Sequence, residues 1–315
     1  MPKLVLSASS AVLALAAMAP ALAQTAAPVT TVQAEVPAMP ACSGRLRWIV
    51  VAGSLQRSQA AFPLALQRRY FDSPCTFLVA GHRLQADYRN WVATSTQSSP
   101  SLAGVARIVE NPSTAAVIYD PEAWPMTPPA EQTDPARAVC QAEAMAHAHH
   151  KLLIATPAVD LLRFVAPQSQ RRLRGRGHSR RYREFEQTGL AGSIARCADV
   201  YEIQAQGSEM DTAKFRQFVL AEARQARQAN PRVVILAGIS TNPSGQRVTA
   251  QQLYAAVQSV RRSVSGYWLN IPAGGKYCPR CGEPQPARQL LERMDTSLHT
   301  SQATRLHQGS AIEAR

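Results

Sequence analysis

Several signatures that would assign a reaction at sight are missing from this 315-residue chain. No G-x-G-x-x-G follows the first predicted strand and no G-x-x-x-x-G-K-[ST] occurs, so nothing supports a nucleotide fold. No H-E-x-x-H is present, and neither Ser54 nor Ser240 sits in a G-x-S-x-G elbow, which leaves a nucleophile-elbow hydrolase without support. The one C-x-x-C, Cys278-Pro279-Arg280-Cys281, lacks a second pair to complete a tetrahedral zinc site. A redox role for it is also disfavoured, because thioredoxin-like motifs open a helix after a strand and Pro279-Arg280 fall in a predicted loop. No metal or other cofactor is expected. Acidic residues are scarce, 21 against 34 Lys and Arg.

The basic excess is mostly local. Arg171, Arg172, Arg174, Arg176, Arg180, Arg181 and Arg183 supply seven of the net +13 charges. Such a run is either a solvated insertion or a seat for a polyanion. Tyr182 is its single aromatic and no nucleic-acid-binding fold is recognisable, so nucleic acid is not the expected partner.

Residues 1–23 have the plan of a secretory signal peptide. Lys3 supplies the positive start, Leu4 to Met18 the apolar stretch, and Ala21-Leu22-Ala23 the small-residue cleavage site. Ser7, Ser9, Ser10 and Pro20 interrupt the run, which argues against a transmembrane anchor. Residues 24–41, rich in Ala, Pro, Val and Thr, read as a flexible spacer. The folded part is expected over 42–298, with a frayed polar tail at 299–315. The address is secreted or periplasmic, where six cysteines form disulfides. Six allow 15 pairings; the favoured set joins Cys42 with Cys75, Cys140 with Cys197, and Cys278 with Cys281.

Within 42–298 strands alternate with helices. Strands are expected at Leu46–Ala52, Thr76–Ala80, Asn90–Thr96, Ala115–Asp120, Lys151–Thr156, Asp199–Gln204, Val233–Ala237 and Gly266–Ile271. Helices are expected at about Ser58–Tyr70, Ser98–Glu110, Asp134–His150, Arg181–Ala195, from Asp211 to near Asn230, from Thr249 to about Arg262, and Pro286–Met294. Pro125, Pro128 and Pro129 forbid a helix directly after the fourth strand. Eight strands in this rhythm predict an α/β fold, a (β/α)8 TIM-type barrel, irregular around strands two and three, where the link is too short for a helix. An open doubly wound sheet is the alternative.

The fourth strand is the stretch around which the chain is organised. Ala115 to Tyr119 is an uninterrupted apolar run, as in a strand covered on both faces. It ends in Asp120-Pro121-Glu122-Ala123-Trp124. Period 2 places Asp120 and Glu122 on one side; alternatively the two cap the next helix. A barrel gathers the C-terminal ends of its strands at one mouth. His82, Thr94, Thr96, Gln97, Thr156, Asp160, Ser240, Asn242 and Asn270 would also arrive there, together with Glu202, Gln204 and Gln206 on one face of strand six. Acids, amides and hydroxyls suit a sugar. Trp124, Tyr201 and Trp268 offer flat faces for its rings. The strand-six amides could instead satisfy one another inside the barrel.

Tyr119-Asp120-Pro121-Glu122 resembles the end of the strand-four signature of family 18 glycoside hydrolases, the chitinases and their relatives, D-x-x-D-x-D-x-E. The resemblance implies Glu122 as general acid and Asp120 as the residue that orients a substrate acetamido group. The two earlier Asp positions are Ala115 and Ile118 here, Tyr201-Glu202 only loosely echoes the family's strand-six Tyr-Asp, and Trp268 matches its stacking Trp. More broadly, the chain from strand four to Cys281 is similar to secreted bacterial TIM-barrel proteins, which implies a fold and an address but no reaction. The expectation is a secreted glycoside-hydrolase-like barrel acting on carbohydrate, with Glu122 and Asp120 catalytic, Glu202 as second carboxylate and Asp160 in reserve. The other reading is a non-catalytic, envelope-associated glycan-binding or interaction protein. His147, His149 and His150 end an outer helix, where imidazolium suits the helix C-terminus and a metal is not implied.

Overall fold

The computed structural model describes residues 38–42, 44–81, 86–168, 178–276 and 278–295. The expected leader at 1–23, most of the spacer, His82, the arginines at 171–176 and the tail at 299–315 lie outside them. Eight parallel strands close into a barrel in sequential order: β1 (Arg47–Val51), β2 (Thr76–Val79), β3 (Thr94–Ser99), β4 (Ala116–Tyr119), β5 (Leu152–Ala155), β6 (Val200–Ile203), β7 (Val234–Ser240) and β8 (Gly266–Asn270). Closure is made by β1 on β8, with Ile49 opposite Trp268. The chain is therefore a (β/α)8 barrel, and the open sheet is excluded.

Two apolar layers hold it. Ile49, Phe77, Ala116, Ile118, Leu152, Ile154, Val200 and Leu236 fill the barrel. The alternate residues, among them Val50, Leu78, Val117, Leu153, Tyr201 and Tyr267, pack outward against the helices. Covering both faces is why these strands read as unbroken apolar runs. β3 is the exception, with no apolar residue in Thr94–Ser99. Its Thr96 is fully buried and donates to Thr94 O at 2.9 Å. The link before it carries a short turn, Ala86–Tyr88, and buries Tyr88 edge-on against Trp91 in place of a helix.

Among the boundaries that differ from the sequence reading, four have a local reason. β3 begins at Thr94, four residues later than expected, because Tyr88 and Trp91 are taken by the plug before it. The first helix is two, Ala52–Arg57 and Leu64–Phe71, separated ahead of Pro63, which has no N–H to continue a helix. The proline-rich stretch after β4 contains a short helix after all, Pro129–Thr133, with Pro at its first position, where no donor is needed. The helix expected over Arg181–Ala195 is broken by Gly189 at φ 68° into His178–Gln187 and Leu190–Ala195. Ser101, Asp134, Asp211 and Thr249 each cap their helix through a side-chain oxygen.

Cys42–Cys75, Cys140–Cys197 and Cys278–Cys281 are the disulfides. The first ties the chain entering β1 to the chain entering β2. The second ties the helix Pro135–Ala148 to the approach to β6. Among the described residues no helix is long and apolar enough to cross a membrane.

Candidate active site

β4 delivers its acids to the mouth because extended pairing continues past its end. Asp120 N donates to Ser99 O at 2.9 Å, Thr156 N to Tyr119 O at 3.0 Å and Ala158 N to Pro121 O at 3.1 Å. Neither acid caps a helix. Pro128 precedes the next one, and Asp134 caps the one after it. Tyr119 turns outward and its hydroxyl donates to Glu131 at 2.7 Å, which also accepts from Leu102 N. Asp120 turns inward. One of its oxygens accepts from Thr156 Oγ1 at 2.7 Å and from Gln204 Nε2 at 2.9 Å. Burial still outweighs those two bonds, and the Asp160 charge adds to it, so the Asp120 pKa rises to about 6.

Glu122 is half-buried and lines a cleft of about 310 Å³, at the small end for a ligand site. Burial is the main cause that raises its pKa to about 7; the charges of Asp120 and Asp160 add to it. Its backbone is pinned by the bond from its N–H to Thr127 Oγ1 at 3.1 Å. Asp160, from the turn after β5, also lines the cleft and accepts from Ala123 N at 2.9 Å. The opposite rim brings Gln204, Gln206, Ser240, Asn242 and Asn270. Asp160 thus lies close enough to Asp120 and Glu122 for its charge to raise the proton affinity of both, facing amides and a hydroxyl.

Glu202 is placed differently from the expectation. It is fully buried inside the barrel, outside the cleft lining, and neither of its oxygens has a hydrogen-bond partner. Burial first, and then the Asp120 charge, push its pKa well above the carboxylate range. Its room comes from β7: a Cβ on Gly238 would stand 2.4 Å from Glu202 Oε1 and 2.4 Å from Gln206 Cδ. Glu202 and Gln206 are therefore packed together where β7 has no side chain. A carboxyl group sealed in this way does not touch a ligand, which is a correction to its assignment as second carboxylate. Asp160 is the acid that shares the cleft with Glu122.

The aromatic platform is corrected too. Tyr201 points to the helix side of β6, where its buried hydroxyl donates to Glu222 at 2.8 Å. Trp268 packs inside the barrel against the inner core, two residues below Asn270 on the same face. Trp124 is half-buried beside the cleft and donates from Nε1 to Thr127 at 3.0 Å. None of the three lines the cleft among the described residues.

Arg181 was expected only as part of a solvated insertion or polyanion seat, and Tyr182 and Glu209 carried no site role in the sequence reading. Arg181 and Tyr182 line the cleft from the helix His178–Gln187. Tyr182 packs on Phe218 with ring centroids 4.4 Å apart, a contact from the far side of two helices that no sequence spacing shows. Glu209 is buried below the rim and accepts from Ser240 N with both oxygens, at 3.1 and 2.9 Å. His147 lies at the other end of the barrel, 2.9 Å from Asp199, and His149 lies 3.6 Å from Glu110.

No family model matches the chain, and no curated protein matches it. Among solved structures, a chitinase from Chromobacterium violaceum aligns with 78% of this chain and 98% of its own, at 10% identity and a TM-score of 0.39. The carboxyl transferase domain of Rhizobium etli pyruvate carboxylase aligns with 76% of this chain and 37% of its own, at 13% identity and a TM-score of 0.33. The barrel itself rests on the strand order and not on these alignments.

Proposed function

We propose that the protein is a glycoside-hydrolase-like barrel acting on carbohydrate, with Glu122 as general acid. The observation that carries this reading is Glu122 itself: an acid in an open cleft at the strand C-termini, raised to about 7 by burial and by Asp120 and Asp160. An acid tuned near neutrality keeps its proton until a leaving-group oxygen needs it. Asp120, locked by Thr156 and Gln204, stands behind Glu122 as the orienting residue. Asp160 is the second carboxylate on the cleft side. The amides of Gln204, Gln206, Asn242 and Asn270 suit sugar hydroxyls. Three disulfides fit an exported protein, since such bonds persist in oxidising compartments.

The second reading, a non-catalytic glycan-binding barrel, is favoured by one observation: Asp160 has an oxygen committed to Ala123 N, as a purely structural acid would. One experiment separates the two. A panel of oligosaccharides is assayed for products and for binding with wild type and Glu122→Gln. Turnover by wild type alone supports the hydrolase. Equal binding by both, with no products, moves the assignment to the glycan-binding barrel. Silence towards every glycan overturns both.

A further inference from the structure

The cleft does not end at Tyr182. A second depression of about 200 Å³ shares Tyr182, Gly207, Pro243 and Ser244 with it. The two make one groove from Glu122 past Tyr182 to Met210 and Lys214. Gly207 and Tyr182 meet closely along it: a Cβ on Gly207 would stand 2.5 Å from the Tyr182 hydroxyl, so the ring tip would have to shift to admit a side chain there. The facing turn, Pro243–Gly245, holds Ser244 and Gly245 at φ 50° and 75°. Asn242, just before it, donates to Arg280 O at 3.0 Å and so ties the turn to the Cys278–Cys281 loop.

One cation stands in the first part of this groove among the described residues, Arg181. Its helix neighbours are engaged elsewhere. Arg180 holds Glu184 at 2.9 Å, and Arg183 lies beside Glu186. Arg181 is exposed and makes no ion pair within 4.0 Å with another described residue. Further along, Lys214 is paired with Asp211 at 2.7 Å. The groove thus holds Asp160 and Glu122 together with a guanidinium that none of the described acids engages within 4.0 Å. Its donor fork matches a carboxylate with two parallel bonds.

Resting on the carbohydrate reading above, we infer that the groove takes an acidic oligosaccharide, a chain with a uronic-acid carboxylate, and that Arg181 is the residue that reads that charge. The length of the groove favours a chain over a single sugar. One guanidinium takes one carboxylate, so a single acidic ring of the chain is placed at Arg181.

The test is calorimetric binding to the full chain carrying Glu122→Gln, so that no ligand is consumed. The probes are a neutral xylo-oligosaccharide carrying one glucuronic-acid residue and the same oligomer with that carboxyl group reduced to an alcohol. The acid form is expected to bind at least about tenfold more tightly, the scale of a charge-assisted pair. Adding Arg181→Gln should cancel most of that preference, and Arg181→Lys should restore part of it. Arg183→Gln removes the same charge from the same helix outside the groove and should leave the preference in place. A preference that survives Arg181→Gln, or a reduced oligomer that binds as tightly as the acid one, overturns the inference while the carbohydrate reading stands. If neither oligomer nor any neutral glycan binds, both fall together.

Discussion

The two ends of the barrel treat charge in opposite ways. At the floor, where strands begin, the charged groups of Lys151 and Asp199 are paired off, while Arg47 Nη1, Thr76 Oγ1 and Thr114 Oγ1 are buried without a partner among the described residues. Lys151 Nζ donates to the carbonyls of Asn111 and Thr114. Asp199 accepts from Leu153 N at 2.7 Å and from His147 at 2.9 Å. At the mouth, where strands finish, acids gather: Glu202 has no partner on either oxygen, whereas Asp120 and Glu209 accept bonds that do not offset their burial. Asp120, Glu122, Glu202 and Glu209 all have raised pKa values with burial as the first cause. A buried acid that is not satisfied costs stability, and acids of that kind keep protons available near neutral pH. Among the described residues the mouth gathers four acids of raised proton affinity.

That contrast can be broken at several points. Glu122→Gln should have the largest effect, a loss of about 10²- to 10⁴-fold in turnover, the range for a missing general acid. Its melting temperature should not fall, because the amide removes a disfavoured charge. In wild type, turnover should decline as pH rises through about 7, as Glu122 gives up its proton. A pH–rate profile that stays flat to pH 9 would sink the assignment.

Asp199→Ala strikes the floor. Leaving Leu153 N and His147 without their acceptor should cost about 1–3 kcal/mol, read by urea unfolding, with kcat unchanged. A fall in kcat with stability intact would reverse the comparison between the ends.

Gly238→Ala joins both kinds of effect. The new Cβ must displace Glu202 or Gln206, and overpacking of this sort costs roughly 1–3 kcal/mol. Because Gln206 lines the cleft, ligand affinity should drop as well. Unaltered binding would mean that Gln206 is not part of the site.

Glu202→Gln should produce the smallest effect, and of opposite sign. The folded state holds a proton on Glu202 above the pH at which the unfolded chain releases it. The stability of wild type therefore falls as pH rises beyond the ordinary carboxylate range, towards the raised folded pKa. The amide lacks that penalty. The variant should match wild type near pH 4 and melt higher at pH 8, by about 2–4 °C for each kcal/mol. Equal melting at both pH values would show that Glu202 is not a neutral buried acid.

The uneven success of the sequence reading follows from what pattern can carry. Alternation placed Glu202, Gln204 and Gln206 on one face of β6, and the structure has Glu202 packed with Gln206 while Gln204 reaches Asp120. Alternation could not say how deep each lies along the barrel axis. Depth separates Glu202, sealed beneath the floor of the cleft, from Gln206, which lines it. For Tyr201 the same rule pointed away from the mouth, since it is one residue out of phase with Glu202, and its buried bond to Glu222 is the consequence. Helix caps were legible at Asp134, Asp211 and Thr249 because each is a local side-chain-to-backbone bond. Arg181 and Tyr182 were hidden inside a charge run whose composition suggested only solvent or polyanion.

The three cysteine pairings were one favoured set out of 15 until the structure placed them; from the sequence alone came the eight-strand rhythm, the barrel and the arrival of Asp120 and Glu122 at a strand end. These depend on periodicity and on contacts between chain neighbours, which composition and spacing record. Only the tertiary structure decided that Glu202 is shut in, that Asp160 is the acid sharing the cleft, and that Arg181 looks into the groove. Those outcomes depend on where Gly238 leaves room, where Gly189 bends the chain, and how strands far apart in sequence stagger around a closed barrel. Such relations are long-range and steric, and no local pattern encodes them.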